Sequence, residues 1–194
     1  TMVDLCATVL THMGVPMDPA WNLDARAAGL RTPPLQFNRN LISNGDAEAN
    51  SGTNNYATNR GIAWWFDIAS ATLGVYGSNP NFPSLASPGP TDRGDNFFLG
   101  GTTNGWISQR IDISAVAAAV DGSGVNYSLS GWFGGVGDQE DMAGLTARFL
   151  SASGSALGSN AVGNVSAADR LGVTGLLERT TSGGLPQGTR SVEF

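Results

Sequence analysis

The hydrophobic period changes once along this chain, and that change limits what it can fold into. After Phe37 apolar residues recur at every second position. Tyr127, Leu129, Gly131 and Phe133 alternate with Ser128, Ser130 and Trp132, and Leu145, Ala147 and Phe149 alternate with Thr146, Arg148 and Leu150. Ile107, Gln109, Ile111 and Ile113 alternate in the same way with Ser108, Arg110 and Asp112. A period of two puts one side of each run into a core and leaves the other side outside. Gly122-Ser123-Gly124, Ser153-Gly154-Ser155, Ser182-Gly183-Gly184 and Pro186-Gln187-Gly188 read as turns between such runs. Short strands so punctuated predict an all-β sandwich from residue 35 to 194.

Two stretches depart from that pattern. Residues 77–94 hold Pro80, Pro83, Pro88 and Pro90 and read as a long ordered loop, because proline fixes φ and removes a ladder donor. Residues 115–120 read as an isolated helical turn. Before residue 35 the period is helical: Met2, Cys6, Val9 and Met13 share one face, Asp4 suits the positive helix end, and Gly14 and Pro16 stop it. Residues 21–30 are irregular and Pro33-Pro34 reads as a linker, so residues 1–34 form a helical tail apart from the sandwich.

Composition narrows the function classes. All ten basic residues are arginines, spread singly, and the net charge is -6, so no basic stripe exists to neutralise nucleic acid. No apolar run approaches the roughly 18 residues of a membrane span. Cys6 is the only cysteine, which excludes an intramolecular disulfide and a thiolate metal cluster.

The stretch Asn40-Leu41-Ile42-Ser43-Asn44-Gly45-Asp46-Ala47-Glu48 resembles the opening strand of galactose-binding-like jelly rolls, the fold of many carbohydrate-binding modules. The similarity continues in order through Gly94-Asp95-Asn96-Phe97-Phe98, Ser108-Gln109-Arg110-Ile111-Asp112, Tyr127-Ser128-Leu129-Ser130-Gly131-Trp132 and Pro186-Gln187-Gly188-Thr189-Arg190-Ser191-Val192. It implies a jelly-roll β-sandwich carrying a structural calcium between the end of the first strand and the loop before a later one. Glu48 and Asp95 are then the leading ligands, with Asp46 and Asn96 behind them. The competing reading makes Asn44 and Asp46 an Asx turn and Asp95 a loop cap.

A second resemblance covers Val3-Asp4-Leu5-Cys6-Ala7-Thr8-Val9-Leu10-Thr11-His12-Met13-Gly14 and Trp21-Asn22-Leu23-Asp24. These residues are similar to the C-terminal end of alkaline-phosphatase-superfamily hydrolases, with Cys6-Ala7 where that pattern has Ala-Pro and Asp24-Ala25 where it has Asp-Gly. It implies that the chain follows the catalytic body of a secreted bacterial hydrolase, a phosphodiesterase or phosphatase.

Catalysis within the chain has little to stand on. His12 is the only histidine, without a second metal ligand at a productive spacing, and no Gly-x-Ser-x-Gly elbow surrounds any serine. Sugar recognition needs exposed aromatic faces beside polar groups. Trp106 and Trp132 are the stacking candidates, with Asp138, Gln139 and Asp141, beside Glu140, as hydrogen-bonding partners in a loop; a core cap and a solvated turn are the competing readings. Trp64 and Trp65 are adjacent, so one faces the core and the other outward. Arg93-Gly94-Asp95 spells a cell-adhesion tripeptide and reads as a turn.

The jelly-roll pattern normally continues past a strand like Arg190-Ser191-Val192-Glu193-Phe194. It therefore implies a missing final strand and an open edge beside residues 190–194, with three readings: the chain is a fragment, a partner chain donates a strand there, or residues 1–34 cover the gap. Together these readings predict an extracellular, non-catalytic module that binds glycan or cell-surface polysaccharide beside a parent hydrolase domain. The alternative is a purely structural or assembly domain.

Overall fold

The computed structural model describes residues 35, 37–56, 61–101, 105–122 and 124–194, with the side chains of residues 67 and 68 excepted. The chain divides into two compact units, Thr1–Arg39 and Asn40–Phe194, and the fold below is that of the second. The predicted helix at residues 2–13, His12, the linker prolines and the hydrolase-like segment lie outside the described residues.

The second unit is all-β and antiparallel. Its strands are β1 (Phe66–Ala69), β2 (Ala71–Val75), β3 (Asn96–Gly100), β4 (Trp106–Ser108), β5 (Arg110–Asp112), β6 (Asn126–Gly135), β7 (Gly144–Leu150), β8 (Ala156–Gly163), β9 (Gly175–Gly184) and β10 (Ser191–Glu193). A 3-10 turn at Ser114–Val116 leads into the short helix α1 (Ala117–Gly122), where the helical turn is expected. Four strands form one sheet in the order β5-β10-β7-β8, and β1-β4, β2-β3 and β6-β9 form pairs. No helix among the described residues is long and apolar enough to cross a membrane.

The alternation found in the sequence is the alternation of burial. Leu129 and Phe133 on β6 and Ala147 and Phe149 on β7 are buried, while Ser130, Trp132, Thr146 and Arg148 are exposed. Across the two layers the Tyr127 and Phe149 rings lie 5.0 Å apart, and Asn160 Nδ2 donates to Tyr127 Oη at 2.8 Å and to Thr181 Oγ1 at 3.2 Å. A second cluster is built from Ala47, Ile62, Trp65, Ala71 and Leu73, with Ile42, Phe98, Ile107 and Phe194 packed against it.

Three expectations need correction. Ser182-Gly183-Gly184 is not a turn: it ends β9, paired with Asn126, Tyr127 and Ser128. A Cβ on Gly183 would lie 2.9 Å from the Tyr127 hydroxyl, so this glycine makes room for a ring instead of bending the chain. Residues 190–194 do not border an open edge, because β10 pairs with β5 on one side and β7 on the other. That location has no room for a donated strand.

Arg93, the first residue of the adhesion-like tripeptide, is turned inward. Its Nε donates to Pro90 O at 2.7 Å, Nη1 to Ser84 O at 3.2 Å and Nη2 to Ser87 O at 3.0 Å, and its guanidinium lies 5.4 Å from the centre of the Tyr76 ring. One cation thereby organises the proline-rich loop through its carbonyls.

Candidate functional site

The residues from 106 to 112 run as one segment that changes partners at Gln109. Before it, β4 pairs with β1; after it, β5 pairs with β10. The Gln109 N–H donates to Phe194 O at 3.1 Å and the Phe194 N–H donates to Gln109 O at 2.8 Å, which anchors the backbone to the large sheet. The buried side chain bonds the other way: Oε1 accepts from Ser43 N at 2.8 Å, and Nε2 donates to Ser43 O at 3.0 Å and to Trp64 O at 2.9 Å.

That last bond fixes a turn in which Trp64 has φ of 70°, in the left-handed region. A bulky residue there costs roughly 1–2 kcal/mol, and its neighbours hold it. Asn44 Nδ2 donates to Ala63 O at 3.0 Å, Ala63 N donates to Asn50 Oδ1 at 2.6 Å, and Trp65 Nε1 donates to Asn44 O at 3.2 Å. The adjacent tryptophans are thereby separated: Trp65 is 7% exposed in the core, and Trp64 is 65% exposed.

The strand pair that follows Trp64 in the chain carries two further exposed rings. Phe66 lies opposite Ser108, and Trp106 stands two residues from Ser108 on the same side of β4, so Phe66, Ser108 and Trp106 share the outer face of the β1-β4 pair. Phe66 is 65% and Trp106 57% exposed. Leaving such rings in water forfeits about 1.5–3 kcal/mol each relative to burial, and exposed apolar surface is where a partner or ligand is bound. The sequence reading finds Trp106 but misses Phe66; the signal was the run Trp64-Trp65-Phe66, whose outer members alternate about a core residue.

Trp132 is exposed on β6, opposite Glu178 of β9, on a different strand pair from Trp106. Asp138, Gln139 and Asp141 are exposed in the loop after β6. That loop is held through its backbone by buried Arg170, whose Nη1 donates to Gly137 O at 2.7 Å and Nη2 to Gln139 O at 2.8 Å. Glu140 Oε2 accepts from Ala167 N at 3.3 Å. The predicted sugar-binding residues thus fall on two different strand pairs and a loop, with Trp106 on β4 and Trp132 on β6.

Glu48 and Asn96 meet. Glu48 Oε1 accepts from Asn96 N at 2.7 Å and Oε2 from Asn96 Nδ2 at 3.1 Å, while Nδ2 also donates to Asn50 O at 3.2 Å and Asn96 Oδ1 accepts from Gly52 N at 3.0 Å. A Cβ on Gly94 would lie 2.4 Å from the Glu48 carboxyl carbon, so glycine there admits the carboxylate. Asp46 Oδ1 accepts from Glu48 N at 3.4 Å in an Asx-type turn, and the Asp95 carbonyl accepts from Tyr76 N at 2.9 Å. The oxygens are of the hard kind calcium takes. The described residues contain no group of three or more His, Cys, Asp or Glu that could hold a metal ion, and Asn96 Nδ2 sits between the Glu48 and Asn50 oxygens.

Compared with known proteins, the chain matches no family model, and no curated protein is similar to it.

Proposed function

We propose that the second unit is a non-catalytic, extracellular glycan-binding module of the jelly-roll type, and that its binding face is the β1-β4 pair with Trp64, Phe66 and Trp106. The observation that carries this is the held, strained turn that keeps Trp64 out of the core and leads into a strand pair with two further exposed rings. Pyranose rings offer C–H faces that stack on aromatic rings, while hydroxyls seek neighbouring polar groups such as Ser108. The net charge of -6 favours neutral polysaccharides over acidic ones.

A structural calcium is the second part of the reading. Glu48 and Asp46, with Asp95 and Asn96, would hold it, and the ion would tie the 44–50 turn to the loop before β3. The hard-oxygen chemistry of these side chains supports it, and the ion would take the place between the Glu48 and Asn50 oxygens that Asn96 Nδ2 bridges by hydrogen bonds. The link to a parent hydrolase rests on the resemblance in residues 1–30.

Affinity electrophoresis through gels containing galactan, xylan or mixed-linkage glucan tests the binding face. Retardation of the wild type, abolished by Trp106→Ala and kept by Trp132→Ala, fits the proposal; loss with Trp132→Ala alone moves the site to β6.

A further inference from the structure

The two sides of the four-stranded sheet are finished differently. On one side β5 is three residues long and carries Arg110 and Asp112. On the other, β8 is eight residues long, and no Asp, Glu, Lys, Arg or Pro occurs anywhere from Ser151 to Ala168. Short length, charge, proline and bulges are devices that stop a sheet edge from pairing with another chain. β5 has short length and charge; β8 has neither, no proline, and a register shift only at Leu157, which leaves residues 158–162 a regular uncharged edge.

The ladder shows which backbone groups of β8 face outward. Gln109 and Phe194 exchange hydrogen bonds and Ile113 N donates to Arg190 O at 2.9 Å, so Val192, Phe194 and the Arg190 carbonyl face β5, while Ser191 and Glu193 face β7, where the Arg190 N–H also donates to Leu150 O at 2.7 Å. Their partners Leu150 and Arg148 therefore face β10, which leaves Leu145, Ala147 and Phe149 facing β8. Val162, Asn160 and Gly158 answer them. Ser159 and Ala161 thus direct their N–H and C=O groups away from β7, where no described strand pairs with them; the Ala161 N–H is met locally by Asn160 Oδ1 at 2.9 Å.

The order of side chains fits a second copy of the same strand. Antiparallel pairing about a two-fold axis perpendicular to the sheet puts like faces together. Centred on Ser159, it sets Ser159 against Ser159, hydroxyl to hydroxyl, and brings the apolar Ala161 to the apolar Leu157, the residue at which β8 shifts register against β7. Leu157, Ser159 and Ala161 are all exposed.

We propose that β8 is a homotypic docking edge, through which two copies of the chain join their four-stranded sheets into one continuous antiparallel sheet. The Trp64, Phe66 and Trp106 faces of the two copies would then act together, and two linked sites hold a polymer far longer than either alone.

Sedimentation velocity on the full chain across a wide concentration range is the test, with wild type, Ser159→Pro and Ala161→Lys compared. The Ser159 N–H faces away from β7, so proline there removes no bond within the monomer, and lysine at position 161 is an exposed edge charge. The wild type is expected to dimerise and both variants to dimerise at least about tenfold more weakly, with circular dichroism and melting temperature unchanged. A wild type that stays monomeric throughout overturns the proposal, as does a dimer that neither variant weakens. In hydrogen exchange the Ser159 amide is expected to be protected in the dimer and fast in the monomer; protection in the monomer would mean that another segment covers the edge and overturns the proposal.

Discussion

The side-chain amide of Gln109 donates to the carbonyl of Trp64 at 2.9 Å while the backbone of Gln109 is paired with Phe194. One buried residue thus couples the large sheet to the turn that displays an exposed tryptophan. Gln109→Leu keeps much of the volume but removes three hydrogen bonds, two to Ser43 and one to Trp64. The expected loss is about 3 kcal/mol in denaturant unfolding, together with weaker glycan retention than wild type.

Trp64 and Trp65 should respond in opposite senses. Trp64→Gly removes an exposed ring and relieves a left-handed backbone, so it is expected to leave stability unchanged or raise it by about 1 kcal/mol while abolishing glycan binding. Trp65→Ala empties a core position and is expected to cost about 3–5 kcal/mol. Thermal melts paired with affinity electrophoresis check both.

Those two tryptophans also show how far the sequence can be read. Period-two alternation locates the buried faces of β6 and β7, because burial there repeats every second residue whatever the strand pairs with. It fails where glycine serves packing instead of turning: Gly183 accommodates the Tyr127 ring and is indistinguishable in sequence from a turn glycine. It also fails where long-range contacts decide. Which of Trp64 and Trp65 is buried depends on Asn44, Asn50 and Gln109, and only the fold brings those residues to the turn. The pairing of β10 on both sides likewise follows from strand order, which local patterning does not encode.

The Glu48 cluster separates a calcium-held link from one made by hydrogen bonds alone. If calcium binds, millimolar calcium raises the melting temperature of the wild type and leaves that of Glu48→Gln unchanged. An identical wild-type melting temperature in calcium and in chelator assigns the link between Glu48 and Asn96 to hydrogen bonding alone.

Acid stability should depend on Asp121 and Asp169. Hydrogen bonds from the Arg190 side chain and the Gly188 N–H hold the Asp121 carboxyl below its ordinary range, and those from the Ser166 backbone and hydroxyl do so for Asp169. A carboxyl whose folded pKa is depressed contributes stability that is fully present above its unfolded pKa and is lost as pH falls through the folded value. Melting temperature is therefore expected to fall through the acid side of the ordinary carboxylate range. Asp121→Asn and Asp169→Asn should each flatten part of that fall while melting lower at neutral pH.

The most direct measurement of the central claim is a polysaccharide array probed with the full chain and with a Trp64→Ala/Trp106→Ala double variant, both confirmed folded by circular dichroism. The account predicts binding to one or more neutral glycans by the wild type and loss of that signal in the double variant. A wild type that binds no glycan, or a double variant that binds as strongly as the wild type, would contradict it.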